Sequence, residues 1–370
     1  MKIPMIDLKA QHATIRDAVL AAVQEVLEEQ YFILGPRVKL LEERIAGLCG
    51  VHHGIGVSSG SDAILLALMA AGVGPGDEVV TTPYSFFSTV GSIVRLGAKP
   101  VLADIEQDTF NLDPKKAATV CTPNTRVIMP VHLFGHLVDG REFQSVAKEK
   151  RAHLIEDAAQ AIGAQGAGFR AGQIGSMACF SFYPTKNLGG TGDGGMVITD
   201  DAELESSLRI LRVHGGRDKY VHLRVGINGR LDELQAAVLL VKLPHLAAWN
   251  EARRLVAARY REGLSGLPLI LPVQRPGFYH TYHQFVLQLE DRDRLKSHLQ
   301  SHDIGCDIYY PIPLHLQECF RDLGYAPGDF PVAEQCARKS LALPIYAELT
   351  EEKQGEVIAR IRDFFGRAHV

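Results

Sequence analysis

The sequence predicts an α/β protein, with a mostly parallel sheet covered by helices on both faces and a smaller α+β unit after it. Two observations carry this. Over the first two-thirds of the chain, short apolar runs rich in β-branched residues alternate with helix-like segments, as strands covered on both faces require. From Leu243 onward the texture changes to a long amphipathic helix followed by mixed short segments. The length of 370 residues agrees with a division, since single cores stop growing beyond roughly 250–300 residues. We expect a large domain over 1–245 and a small one over 246–370.

Residues 13–30 and 38–48 read as helices. A short strand then meets Ser58 and Ser59, and a helix signal runs from Ser61 to Ala71 with Ser61 and Asp62 at its start. Strand candidates follow at Glu78–Thr82, Pro100–Ala103, Arg126–Val131, His153–Ile155, Met177–Phe182 and Met196–Thr199. Helical patterns separate several of them, around 85–96, 140–149 and 202–213, and another begins near Leu231. The C-terminal third offers a helix over Pro244–Leu264, strands at Leu269–Leu271 and His283–Leu289, and helices at 292–301 and 350–365.

Composition excludes several classes. Hydrophobic residues make up 46% and charged residues 22%, and the formal net charge is −4. That balance offers no basic face to a nucleic-acid backbone. The strongest apolar stretch, around Ile64 to Val73, is far shorter than the roughly 20 residues that span a bilayer. The N-terminal MKIPMIDLKAQH lacks the apolar core of a signal peptide. The six cysteines (Cys49, Cys121, Cys179, Cys306, Cys319 and Cys336) are scattered without a C-x-x-C pair. Neither a disulfide framework nor a metal site is expected, and the reading is a cytoplasmic protein that binds no membrane.

The segments HLIEDAAQAIGA (153–164) and SMACFSFYPTKNLGGTGDGG (176–195) carry the most chemistry. Asp157 closes one expected strand and Lys186 lies just beyond another. Ligands of open α/β sheets collect outside the carboxyl ends of strands, so the two side chains can face one ligand. Lysine forms Schiff bases with carbonyls, and its pKa falls readily on burial. A carboxylate suits the pyridinium nitrogen of pyridoxal phosphate (PLP). Taken singly, each is more often a solvated loop residue. Gly190, Gly192 and Gly195 fit the dinucleotide fingerprint G-x-G-x-x-G, but a strand, MVIT, follows where a helix should open. The glycines are better read as a tight loop beside a ligand. In VSSGSDAILLALMAAG (57–72) the helix start at Gly60, Ser61 and Asp62 is a natural phosphate seat, with a plain helix cap as the bland alternative.

Together, GSDAILLAL, TTPYSFFST, VHLFGH, IEDAAQA and SFYPTKNLGGTGDGG, in this order, resemble the DegT/DnrJ/StrS family of PLP-dependent nucleotide-sugar aminotransferases. The resemblance runs from IDL (6–8) and FILGP (32–36) to YYPIPLHLQ (309–317). It implies the PLP-dependent transferase fold of type I, aspartate-aminotransferase-like. It implies that Lys186 binds the cofactor as a Schiff base and shuttles the proton, that Asp157 pairs with the pyridinium nitrogen, and that Gln160 bonds the phenolic oxygen. Phe86 is expected to stack on the ring, whereas by pattern alone Phe86 and Phe87 would be core. Gly60, Ser61, Asp62 and Ser181 are expected at the phosphate, with Asn228 of INGRLDELQAA reaching the phosphate of a neighbouring subunit in a homodimer. One departure is Gly192-Asp193-Gly194-Gly195, where many members carry Glu in place of the Asp. Lys186 favours transamination over dehydration, because the related dehydratases have histidine there.

The resemblance further implies L-glutamate as amino donor and a keto sugar on a nucleotide as acceptor. FILGP and the full IEDAAQA segment look like the branch that aminates C3 rather than C4. Arg217, Lys219, Arg224 and Arg230 make HGGRDKYVHLRVGINGR (214–230) locally basic, fit either for a nucleotide pyrophosphate or for solvent. Tyr310 and His315 fall in a family segment that approaches the site. Two alternatives stay open: a same-fold enzyme acting on another ketone such as a cyclitol, and a non-catalytic regulatory relative.

Overall fold

The computed structural model describes residues 2–367. Its elements are α1 (Leu8–Glu29), α2 (Pro36–Cys49), β1 (His53–Val57), α3 (Gly60–Ala70), β2 (Glu78–Thr81), α4 (Ser88–Arg95), β3 (Lys99–Leu102), α5 (Pro114–Val120), β4 (Thr125–Ile128), α6 (Gly140–Lys150) and β5 (His153–Asp157). Then come β6 (Gln165–Gly166), β7 (Phe169–Arg170), β8 (Met177–Ser181), β9 (Gly195–Thr199), α7 (Ala202–Leu211), β10 (Gly216–Asp218), β11 (Val221–His222), α8 (Glu233–Lys242) and α9 (Leu246–Gly263). After these follow β12 (Phe285–Gln288), α10 (Arg292–Ser301), α11 (Pro331–Lys339), β13 (Ser340–Leu343) and α12 (Glu351–Arg367).

Seven strands form one sheet in the order β1-β9-β8-β5-β4-β2-β3. β9 runs antiparallel to both neighbours, β1 and β8, and the other pairings are parallel. The carboxyl ends of β1, β2, β5 and β8 therefore share one edge with the start of β9, which is where such sheets receive ligands. Side-chain alternation covers both faces. Ile155 of β5 joins a core with Ile64, Leu68, Val197 and Leu208, while its neighbour Leu154 joins the opposite core with Leu41, Ile45, Phe143 and Leu239.

Buried carboxylates fix the layers. Helix α2 has Gly35 at its N-cap and no side-chain cap of its own. The fully buried Glu233 of α8 supplies one, accepting from the backbone N–H of Arg37 (2.6 Å) and Val38 (3.1 Å). This satisfies donors that a helix start otherwise leaves orphaned. Glu156, also fully buried, accepts from the N–H groups of Gly172, Ile174 and Gly175 (2.8, 2.8 and 2.9 Å) and pairs with His132 (2.8 Å). It holds the end of β5 rigid beside Asp157.

A second core gathers Val256, Tyr260, Phe285, Leu287, Leu295, Leu341, Leu343, Val357 and Ile361, with β12 and β13 as its antiparallel ribbon. Ile3 belongs to this core. Its N–H donates to the carbonyl of Asp303 (2.9 Å) and its carbonyl accepts from Gly305 (2.7 Å). The first residues thus pair with the C-terminal third of the chain. The expected strand Leu269–Leu271 reduces to a single bridge between Ile270 and Gln288, because Ile270 meets β12 only at its last residue. Among the described residues, no helix is long and apolar enough to cross a membrane, no His/Cys/Asp/Glu group is placed to hold a metal, and the cysteines are free thiols.

Candidate active site

A cavity of about 640 Å3 opens at the carboxyl edge of the sheet. Lys186 reaches it from the loop after β8, where its backbone N–H is held by the carbonyl of Tyr183 (2.8 Å). Burial lowers the lysine pKa to about 8, against the opposing pull of Asp157. Asp157, the last residue of β5, is buried and faces the same space. Its Oδ2 accepts from the Thr89 hydroxyl (2.8 Å) and its Oδ1 from the Ala159 N–H (3.3 Å). Burial raises the carboxyl pKa, and these two donors and Lys186 pull it back. Ser85 lies 2.8 Å from Thr89, extending the relay along the start of α4.

Gln160 is oriented by its neighbours. Its Oε1 accepts from the Phe134 N–H (2.7 Å), so its amide N–H2 faces the other way, toward the Tyr310 hydroxyl (2.9 Å) and the cavity. Phe86 lines the wall and is 57% exposed. Phe87 is exposed too and stacks on Phe320 at 5.2 Å. Neither is core, contrary to the reading of pattern alone.

The opposite end suits a phosphate. Gly60, Ser61 and Ser181 line it, and the Ser61 hydroxyl lies 2.5 Å from that of Ser88. A Cβ on Gly60 would stand 2.6 Å from Cβ of Ser181, so the two walls meet only because residue 60 is glycine. The N–H groups of Gly60 and Ser61, the first two of α3, have no acceptor within the helix. Asp62 is placed differently from expectation. Its N–H donates to the Ser59 hydroxyl (3.0 Å), its carboxylate accepts from Ser58 and Ser59 (2.6 and 3.0 Å), and it does not line the cavity. Ser59 caps the helix through that bond, and so the Asp62 N–H is already spent.

Other expected residues lie elsewhere. His315 is buried outside the cavity, 3.2 Å from Glu334 and edge-on to Phe330 at 4.7 Å, and packing takes it away from the site. Arg217, Lys219 and Arg224 sit on or after the β10–β11 hairpin, exposed and outside this chain's cavity. Arg217 pairs with Asp218 (3.3 Å) and Arg224 donates to Ser207 (2.8 Å). Asn228 is exposed on the following loop and is likewise absent from this cavity. Among the described residues, Lys186 is the one cationic side chain lining the space, beside Asp157 and Asp193. Residues that the sequence did not single out, Ser85, Thr89, Tyr183, Tyr309 and His283, complete the walls.

A buried acid and a desolvated lysine at adjacent strand ends, with a glycine-walled anion seat beside them, are the arrangement of a PLP-dependent enzyme. The residues present fit that cofactor: an acid for the ring nitrogen, an amide for the phenolic oxygen, a lysine for the aldehyde and free N–H groups for the phosphate. A model described as the DegT/DnrJ/EryC1/StrS aminotransferase family matches residues 13–362. The chain is 47% identical to a pleiotropic regulatory protein of Geobacillus stearothermophilus, over 99% of each chain. It is 45% identical to a UDP-N-acetyl-3-dehydro-α-D-glucosamine 3-aminotransferase of Acidithiobacillus ferrooxidans, over 97% of each. The crystal structure of Streptomyces venezuelae DesV in complex with a ketimine intermediate superposes with a TM-score of 0.96 at 42% identity, covering 98% of each chain. The chain belongs to the DegT/DnrJ/EryC1/StrS aminotransferase family.

Proposed function

We propose that the chain moves an amino group from L-glutamate to the keto group of a nucleotide-linked sugar, with 3-keto sugars favoured. The observation that carries this is the meeting of Lys186, Asp157 and Gln160 in one cavity. The nucleotide-sugar 3-aminotransferase among the relatives supports the choice of acceptor. PLP, when bound, supplies the carbonyl for the amino group and the ring that takes up electrons from the cleaved C–H bond. The Asp157 carboxylate keeps the pyridine nitrogen protonated. The Lys186 amine, whose lowered pKa leaves a useful fraction uncharged, moves the proton between the donor carbon and the cofactor. Gln160 donates to the phenolic oxygen, Phe86 covers the ring face, and Gly60, Ser61 and Ser181 hold the phosphate.

The ligands carry several negative charges, and this cavity offers little to meet them beyond Lys186. We read the missing cations as those of a second copy. In a homodimer, Asn228 reaches the neighbour's cofactor phosphate, and Arg217, Lys219 and Arg224 reach its nucleotide or glutamate. Free, scattered thiols fit a reducing compartment, the cytoplasm. Residues 246–370, with the bridge at Ile3, are read as the small domain.

The name of the regulatory relative favours a second reading, binding without turnover. Incubation with PLP and L-glutamate separates the two: the enzyme converts its cofactor to the amine form, a pure regulator does not. For the acceptor, kcat/KM is compared for a 3-keto and a 4-keto sugar on the same nucleotide. A clear preference for the 4-keto sugar refutes the C3 assignment.

A further inference from the structure

His283 lies just before β12, is 6% exposed, and lines the cavity that holds Lys186. Its Nδ1 is 3.2 Å from Oδ1 of Asn187, the residue after the lysine. A chain of amides decides which atom carries the proton. Asn250 Nδ2 donates to the carbonyl of Ile162 (3.2 Å), which turns Oδ1 of Asn250 toward Asn187. Asn187 Nδ2 donates to that Oδ1 (2.7 Å) and to the carbonyl of Thr281 (3.1 Å). Asn187 thus presents its oxygen to the imidazole, and Nδ1 of His283 must be the donor. Nε2 is then an unprotonated acceptor. It has no hydrogen-bond partner among the described residues, and the side chain belongs to a residue that lines the cavity. The backbone here is fixed as well: the His283 N–H donates to the carbonyl of Phe134 (2.8 Å), and the guanidinium of Arg253 donates to the His283 carbonyl (3.4 Å).

We propose that His283 is a positioning residue for the proton transfer, its Nε2 accepting a hydrogen bond from the Lys186 amine and so aiming the amine's lone pair at the substrate carbon. The inference rests on Lys186 being the cofactor lysine. An uncharged acceptor is what this task needs. A carboxylate in its place would stabilise the ammonium form and remove the base, whereas a neutral ring fixes direction and leaves the amine basic. Burial, together with the charges of Lys186 and Arg253, keeps the ring uncharged, well below the usual histidine range. The other ionisable groups lining the cavity around Lys186, namely Asp157, Asp193, Tyr183, Tyr309 and Tyr310, come from separate segments and stay in place in the variants below.

Two substitutions divide the ring's atoms. His283→Asn keeps a donor near the Nδ1 position and loses Nε2, and His283→Gln places an amide oxygen near Nε2. Three readouts are taken: the single-turnover rate with L-glutamate, the isotope effect with α-deuterated L-glutamate, and the acylation of Lys186 against pH in cofactor-free chain, followed by peptide mass mapping. With His283→Asn we expect PLP affinity and Tm near those of the parent, a turnover about tenfold slower or more with a larger isotope effect, in the range of one hydrogen bond to a charged group, and a lower apparent pKa for Lys186 acylation. His283→Gln should recover most of each. Equal behaviour of the two variants, or unchanged Lys186 acylation in both, overturns the proposal. Borohydride reduction of the PLP-loaded parent followed by peptide mapping tests the premise separately. Phosphopyridoxyl label on Lys186 with indistinguishable variants removes only the role of His283, while label on another lysine removes the premise.

Discussion

At the scale of single residues, Asp157 is the buried carboxylate that we propose for the ring nitrogen. It is buried, and its two hydrogen-bond donors, Thr89 and Ala159, leave room for one more partner on the cavity side. Asp157→Asn preserves shape but removes the charge proposed to hold the ring nitrogen protonated. We expect PLP still to bind and transamination to fall by roughly two powers of ten, the size of one preorganised electrostatic partner. Near-normal turnover would mean that the pyridine contact lies elsewhere. That Lys186, Asp157 and Gln160 would meet in one cavity was legible in the sequence, because each sits in a short contiguous motif near a strand end. Thr89 and His283 were not, since their parts come from contacts across 68 residues to Asp157 and 96 residues to Asn187. Asp62 and His315 misled for the opposite reason. Both lie inside family motifs, yet the N–H of one is taken by the Ser59 helix cap and the other is packed against Glu334 and Phe330.

Among elements, the junction of β1 with α3 is tightly packed. Gly60 meets Ser181, and a Cβ on Gly195 would stand 2.4 Å from the carbonyl of Ser59. Gly60→Ala should lower PLP affinity by about tenfold or more and cost roughly 1–3 kcal/mol of stability, as overpacking does. Gly74, with no atom within 4 Å of an added Cβ, is the control. Titration with PLP and thermal unfolding of both variants decide it, and equal effects from the two would refute the steric account. The alternation of helices and strands was readable because both faces of the sheet bury apolar side chains. Less readable were the ends. The strand expected to reach Val131 stops at Ile128, and Val131 instead bridges to Asp157, helping to form the floor of the site. Helix α5, with seven residues, and β13, with four, carry too little periodicity to stand out. β13 exists because Phe285–Gln288 pairs with it from far upstream.

For the whole molecule, the site of one chain lacks the basic residues that its anionic ligands call for, while Arg217, Lys219 and Arg224 lie outside it, exposed. Tyr220 and Val225 beside them are 85% and 89% exposed, apolar surface that a second copy would cover. The dimer proposal has a direct test. Lys186→Ala and Asn228→Asp are each prepared as inactive protein and refolded together. If a site takes Lys186 from one chain and Asn228 from the other, each heterodimer holds one site with both residues intact and one with neither. Activity should return to about one native-like site per heterodimer. Heterodimers that form and stay inactive would place Asn228 outside the shared site.

The pairing of Ile3 with Asp303 and Gly305 has a consequence for how the protein comes into being. Synthesis proceeds from the N-terminus at roughly 5–20 residues per second, so Ile3 emerges about 15 to 60 seconds before its partners. During that wait the seven-stranded sheet can complete itself, because every strand it needs lies before residue 200. The second core cannot, and its closure also delivers His283 and Tyr310 to the cavity. The same-chain residues proposed for PLP, from Gly60 to Lys186, emerge with that sheet, so a nascent chain is expected to capture PLP before its second core closes, whereas turnover waits for that closure.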